Sequence, residues 1–260
     1  MKLFSRFNGE GKDALVILHG LLGSSANWRS LAKRFGQHRA VYSLDLRNHG
    51  QSPWSEEMDY ALMADDVLEQ IDSLDHRRIH LLGHSMGGKV AMELALSSPQ
   101  SIDAIIVADI APVAYTHDFD HFIEPMLALD LSTISRRSQA DTQLSRQVPD
   151  PAIRAFLLHN LNYDKADDRW SWRPNLEVLL NSMPKIIDFD IPLPGVCTCP
   201  ALFLHGENSN YVLPEHTQTI RFHFPRANFH QIKQAGHWLH AEQPKAFVQA
   251  CETFLSTGLR

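Results

Sequence analysis

A chain of 260 residues, 44% hydrophobic and 21% charged, can bury the core of one globular domain, or of one domain carrying an insertion, and is too apolar for disorder. Its net charge of -6, with Lys and Arg scattered, excludes the basic footprint of a nucleic-acid binder, and no phosphate-cradling G-x-x-x-x-G-K-S/T run is present. Met1 to Phe7 lacks the apolar core of a signal peptide, and no apolar run approaches the roughly 18 residues that span a bilayer, so the expectation is a soluble cytoplasmic protein with neither nucleic acid nor membrane as partner.

Asp13 to Leu18 (DALVIL) is a continuous apolar run ending in His19-Gly20, and Ala40 to Leu46 (AVYSLDL) is another, ending before Arg47-Asn48-His49-Gly50. Both read as parallel strands buried on two faces. Tyr60 to Leu74 places Leu62, Val67, Leu68, Ile71 and Leu74 at helical spacing. Ile79 to Leu82 reads as a strand, Met86 to Leu96 as a helix, and Ala104 to Ala108 (AIIVA) as a further buried strand stopping at Asp109. This alternation predicts an α/β fold with a doubly wound, mostly parallel sheet, whose ligand lies beyond the carboxyl ends of the strands.

From Pro112 to Pro192 the rhythm changes. Amphipathic segments (Phe119 to Leu129, Ile153 to Leu161, Leu176 to Leu180) are separated by prolines and polar linkers, with no buried-strand run among them. The predicted organisation is core over 1–112, a helical cap insertion over 113–192, and core again over 193–260. In the last part Ala201 to Leu204 and Asn228 to Ile232 read as strands, and Gln243 to Leu255 as a helix with Phe247, Val248, Cys251 and Phe254 on one stripe. Cys197, Cys199 and Cys251 form no paired metal-ligand motif, and the 15 histidines fall into no metal-binding spacing, so reduced thiols, no metal and no cofactor are expected.

The chemistry concentrates at Leu81-Leu82-Gly83-His84-Ser85-Met86-Gly87-Gly88, a strand running into a helix with a serine at the corner and glycine two residues to either side. A serine hydroxyl is a weak nucleophile until a base and oxyanion-stabilising N–H groups are brought to it. A sharp turn exposes the hydroxyl to such a base. The helix that follows aims its first free N–H groups, Met86 nearest, at the same point.

With four landmarks in order, His19-Gly20, Asp45-Leu46-Arg47-Asn48-His49-Gly50-Gln51-Ser52, GHSMGG and Ala235-Gly236-His237-Trp238, the chain resembles the α/β-hydrolase family over nearly its whole length. That resemblance implies a Ser-acid-His order, with Ser85 as nucleophile and His237 as general base. His240 is the nearest rival base and is expected instead to pack against the start of the last helix. The resemblance makes the N–H groups of Leu21 and Met86 the oxyanion donors. His19, His49 and Arg47 are expected to brace loops. Asp45 precedes the serine and is a poor triad acid.

Most family members carry the acid in the loop that here reads His205-Gly206-Glu207-Asn208-Ser209-Asn210-Tyr211, which holds no aspartate. The family's second location is the end of the strand AIIVA, where Asp109 stands. Asp109 is therefore the predicted acid, Glu207 its competitor, and Ser209 a supporting group in the vacated space. A loop or helix cap is the plain structural alternative for Asp109. Asp109 with Pro112, and Glu207-Asn208-Ser209, are similar to the bacterial acyl-ester hydrolases of the YbfF type. The resemblance implies a cofactor-free esterase for short to medium acyl esters, or acyl thioesters, with Leu22, Tyr211 and Trp238 lining the substrate pocket. A carbon-carbon bond hydrolase or a perhydrolase on the same triad, and a non-catalytic ligand receptor, are the alternatives.

Overall fold

The computed structural model describes residues 1–116, 119–189 and 195–257. Its strands, in chain order, are β1 (Ser5–Asn8), β2 (Asp13–Leu18), β3 (Ala40–Leu44), β4 (Arg78–His84), β5 (Ala104–Ala108), β6 (Leu161–Asp164), β7 (Arg169–Trp172), β8 (Ala201–Gly206) and β9 (Ala227–Ile232). Seven of them form one sheet in the order β1-β3-β2-β4-β5-β8-β9. Every pair in it is parallel except β1 with β3.

The apolar runs of the central strands divide residue by residue between two faces, as side chains alternate along a strand. Val16, Leu18, Leu81, Val107 and Phe203 belong to one core, with Val67 and Ile71 of α2 (Tyr60–Asp72) and Val90 and Leu94 of α3 (Met86–Ser97). Leu15, Ile17, Leu82, Ile106 and Leu204 belong to the other. There they meet Leu31 and Phe35 of α1 (Arg29–Phe35) and Phe247, Cys251 and Phe254 of the C-terminal helix (Pro244–Thr257). A sheet covered on both faces explains why these strands are continuously apolar and not alternating. Register also aligns the strand ends: Leu18 is opposite Gly83, His84 opposite Ala108, and Ala108 opposite Leu204. The loops after β2, β4, β5 and β8 therefore open at one edge.

The segment between β5 and β8 holds α4 (Asp120–Leu127), α5 (Arg137–Leu144), α6 (Pro151–Leu158), the β6–β7 hairpin, α7 (Leu176–Asn181) and α8 (Met183–Ile187). Leu129, Ile134, Ala140, Leu144, Leu158 and Leu161 give it a small core of its own. Asn160 ties it to the turn after β2, its Nδ2 donating 2.8 Å to the Leu22 carbonyl. Within this mainly helical insertion the hairpin is an element that the sequence reading did not name. Its four-residue strands are half-exposed and held by a Tyr163–Trp170 ring pair 5.0 Å apart, so they leave no buried-strand run in the sequence. Leu161, expected in a helix, starts β6. The expected boundary at 192–193 lies outside the described residues.

The remaining helices are α9 (His216–His223), α10 (Leu239–Glu242) and α11, the C-terminal helix already placed. Among the described residues, no helix is long and apolar enough to cross a membrane.

Candidate active site

Ser85 occupies the corner between β4 and α3 with φ 52° and ψ -121°, a conformation that a non-glycine residue holds only when its surroundings impose it. Its N–H donates to the Ala108 carbonyl at 3.0 Å, and its carbonyl accepts from the N–H groups of Gly88 and Lys89 at 2.8 and 3.1 Å. Backbone packing dictates the flanking glycines. A Cβ on Gly83 would lie 2.1 Å from the Gly87 carbonyl oxygen, and one on Gly87 would lie 2.4 Å from that of Leu18. Here glycine serves close approach, since neither residue has positive φ.

His237, on the loop after β9, places Nε2 3.0 Å from Ser85 Oγ and Nδ1 2.8 Å from Asp109 Oδ2. A carboxylate only accepts, so Nδ1 carries the proton and the Nε2 lone pair faces the serine hydroxyl. Tyr211 stacks on the ring at 3.8 Å and 19°, and His84 Nε2 holds the backbone beneath it by donating to the His237 carbonyl at 2.8 Å.

Asp109 follows β5 directly, is fully buried and has φ 54°. Its Oδ1 accepts from Gly206 N–H at 3.0 Å, while Oδ2 accepts from both His237 and the Ser209 hydroxyl. Three donors thus satisfy the two oxygens of this buried side chain. Glu207, the sequence competitor, is exposed and accepts from Gln234 N–H at 2.8 Å, tying the loop after β8 to the loop after β9.

The turn after β2 brings Gly20 against the serine, where an added Cβ would come within 3.2 Å of Ser85 Cβ. Leu22 has φ 58°, and its N–H donates to His49 Nε2 at 3.1 Å. His49 Nδ1 donates to the Arg47 carbonyl, and His19 Nδ1 donates to that of Gly20 while its Nε2 accepts from Leu46 N–H. These patterns demand neutral rings. Burial accordingly pulls His49 down to about 3 and lowers His19. Arg47 is committed to the Asp66 carboxylate at 2.7 Å, and Asp45 accepts from Ser25 and Gln51 N–H, its charge partly opposing the lowering of His19 by burial.

His240 stacks on Trp28 at 4.4 Å and 9°, edges against Phe247, and is pulled by burial to about 3. It packs where the C-terminal helices begin. Its second neighbour, His84, was not singled out in the sequence; burial and the adjacent His240 and His237 hold it well below the usual imidazole range. Lys89 and Asn160 were missed likewise.

Two pockets meet at Leu21, Ser85 and Phe119. The larger, about 580 Å³ with its open mouth, is lined by Leu22, Phe119, Ile153, Phe156 and Trp238 beside Ser85 and His237. The smaller, about 310 Å³ on the same measure, lies against Met86, Lys89, Tyr60, Tyr115 and Tyr211. All three residues expected to line a substrate pocket thus border one of the two.

A parallel sheet delivering serine, histidine and aspartate to one edge beneath an inserted cap defines an α/β hydrolase. Residues 13–244 match the family described as alpha/beta hydrolase fold, and the chain belongs to that family. Mouse sn-1-specific diacylglycerol lipase ABHD11 is 41% identical over 254 residues, covering 94% of this chain and 81% of that protein. Esterase YbfF of Escherichia coli K12 is 34% identical over 251 residues, covering 96% and 95%. A marine microorganism esterase superposes with a TM-score of 0.94 at 37% identity, covering 97% and 99%. The chain is therefore an α/β hydrolase with esterases and a lipase among its relatives.

Proposed function

We propose that this protein is a serine esterase that cleaves carboxylic esters of short to medium acyl chains, with acyl thioesters as chemically related substrates, through an acyl-enzyme. The observation that carries the reading is the continuous path Ser85 Oγ, His237 Nε2, His237 Nδ1, Asp109 Oδ2, with gaps of 3.0 and 2.8 Å. His237 takes the hydroxyl proton as Ser85 attacks the carbonyl carbon, and the carbonyl π electrons move onto oxygen. The N–H groups of Leu21 and Met86, which the hydrogen bonds among the described residues leave unused, receive that oxyanion. Collapse expels the alcohol, which takes the proton from His237. Water then repeats the sequence on the acyl-enzyme and frees the acid.

Asp109 holds the imidazole in the productive tautomer and balances the imidazolium that forms. Ser209 positions Asp109. Residues 113–192 act as the cap over both pockets, and the restricted space on each side of Ser85 supports small acyl and alcohol groups. A fluorophosphonate probe should label the protein covalently, and Ser85→Ala should abolish labelling. Absence of labelling in the folded wild type would overturn the enzyme reading and favour a ligand receptor.

A further inference from the structure

Lys89 is one helical turn beyond Ser85 on α3 and only 1% exposed, yet the mechanism above makes no use of it. Its Nζ donates to the carbonyls of Ile187 and Asp188, both at 2.9 Å, where the cap returns to the core. The rings of Tyr115, Tyr60 and Phe189 surround it at 4.9, 5.5 and 5.7 Å. An ammonium has three donors, so one remains. Among the described residues, no ion pair involves Lys89.

A buried cation with no bonded counter-charge is an expensive arrangement, and ordinary packing would favour an apolar residue here. The groups facing Lys89 do not resolve it. Tyr60 of α2 and Tyr115 have phenols pushed up by burial and stay neutral, while the Asp188 carboxylate accepts from Phe189 N–H. Lys89 nevertheless borders the smaller pocket together with Ser85 and Met86.

We propose that the smaller pocket receives the acyl group and that Lys89 accepts a carboxylate at its far end, making half-esters of short dicarboxylic acids the preferred substrates. This rests on the esterase reading. Ser85 and Lys89 line the same small pocket, so a short diacyl group with one carbonyl at Ser85 directs its second carboxylate toward Lys89. Burial pulls Lys89 down to about 7, with only Asp188 opposing, so the free site carries its charge below neutral pH and loses it above.

The test compares kcat/KM for monoethyl succinate and ethyl butyrate, which share four acyl carbons, from pH 6 to 8.5. The half-ester should be favoured about tenfold at pH 6. That ratio should fall toward one as pH rises through about 7, His237 cancelling because it serves both substrates. Lys89→Met should hold the ratio near one at every pH. A wild-type ratio of one, or equal losses on both esters in Lys89→Met, would show that Lys89 only fastens the cap and would overturn the proposal.

Calorimetry of succinate binding to the wild type at pH 8, in two buffers of different ionisation enthalpy, needs no variant and no turnover. Proton uptake exceeding that on butyrate binding is expected, because the second carboxylate restores the Lys89 ammonium; no binding, or no excess uptake, refutes the subsite. Uptake without hydrolysis of either ester would refute the esterase reading and leave the subsite standing.

Discussion

The Ser209 hydroxyl donates to Asp109 Oδ2, the same oxygen that accepts from His237 Nδ1. Ser209, on the loop after β8, thus divides the charge of Asp109 between two donors. Removing it in Ser209→Ala leaves more negative charge on the oxygen facing the imidazole, which favours the imidazolium. Ester kcat should fall roughly fivefold, the equivalent of about 1 kcal/mol for one hydrogen bond, and the acid limb of kcat/KM should move to higher pH. A pH-rate profile of the variant checks both, and an unmoved limb would reduce Ser209 to a turn residue.

Asp109 and Glu207 separate by their partners. Asp109→Asn would present an amide N–H or the wrong acceptor to His237 Nδ1, with a loss in kcat on the order of 10⁴ expected when the tautomer is wrong. Glu207→Gln should stay within about twofold of wild type, because its carboxylate braces Gln234 and no catalytic atom. Parallel ester assays on the two variants decide the assignment, and the reverse ranking would sink it.

What could be read in the sequence followed the range of the interactions. The elbow was readable because a strand, a turn and a helix N-terminus are local chemistry, whereas Asp109 was reached through the family resemblance, supported by a run of five buried residues that ends on a charge. β1, α1 and α5 gave no signal: β1 is four residues long and half-exposed, and α5 buries only Ala140 and Leu144. His84, Lys89 and Asn160 could not be found because each acts on a carbonyl 153, 98 or 138 residues away. Such pairings are set by tertiary packing, and no periodicity encodes them.

The close approach at the elbow predicts an asymmetric response to adding one methyl group. In Gly83→Ala the new Cβ would sit 2.1 Å from a backbone oxygen, an atom that cannot swing aside. Overpacking of this kind costs about 3 kcal/mol, and any relaxation must displace Ser85. Gly236→Ala, whose Cβ would meet only the Glu242 carboxylate at 3.3 Å, should cost well under half of that. Urea unfolding of the two variants, with esterase assays alongside, measures the contrast.

Burial of neutral histidines sets how the fold responds to acid. His49 and His240 are drawn down to about 3 and His80 to about 4, each mainly by burial, from an ordinary value of 6.5. The unfolded chain therefore binds more protons than the folded one between pH 6.5 and these lowered values. Stability is fully present above pH 6.5 and is lost as pH falls through that window, at about 1.4 kcal/mol per pH unit for each histidine well inside it. Urea midpoints at pH 7.5 and 5 should differ strongly, with the lower at pH 5. His240→Phe keeps the stacking surface on Trp28 while removing one titrating ring, so the slope of stability against pH should become shallower by one proton. A slope unchanged in that variant would mean that His240 is already protonated in the folded protein, contrary to its packing between Trp28 and His84.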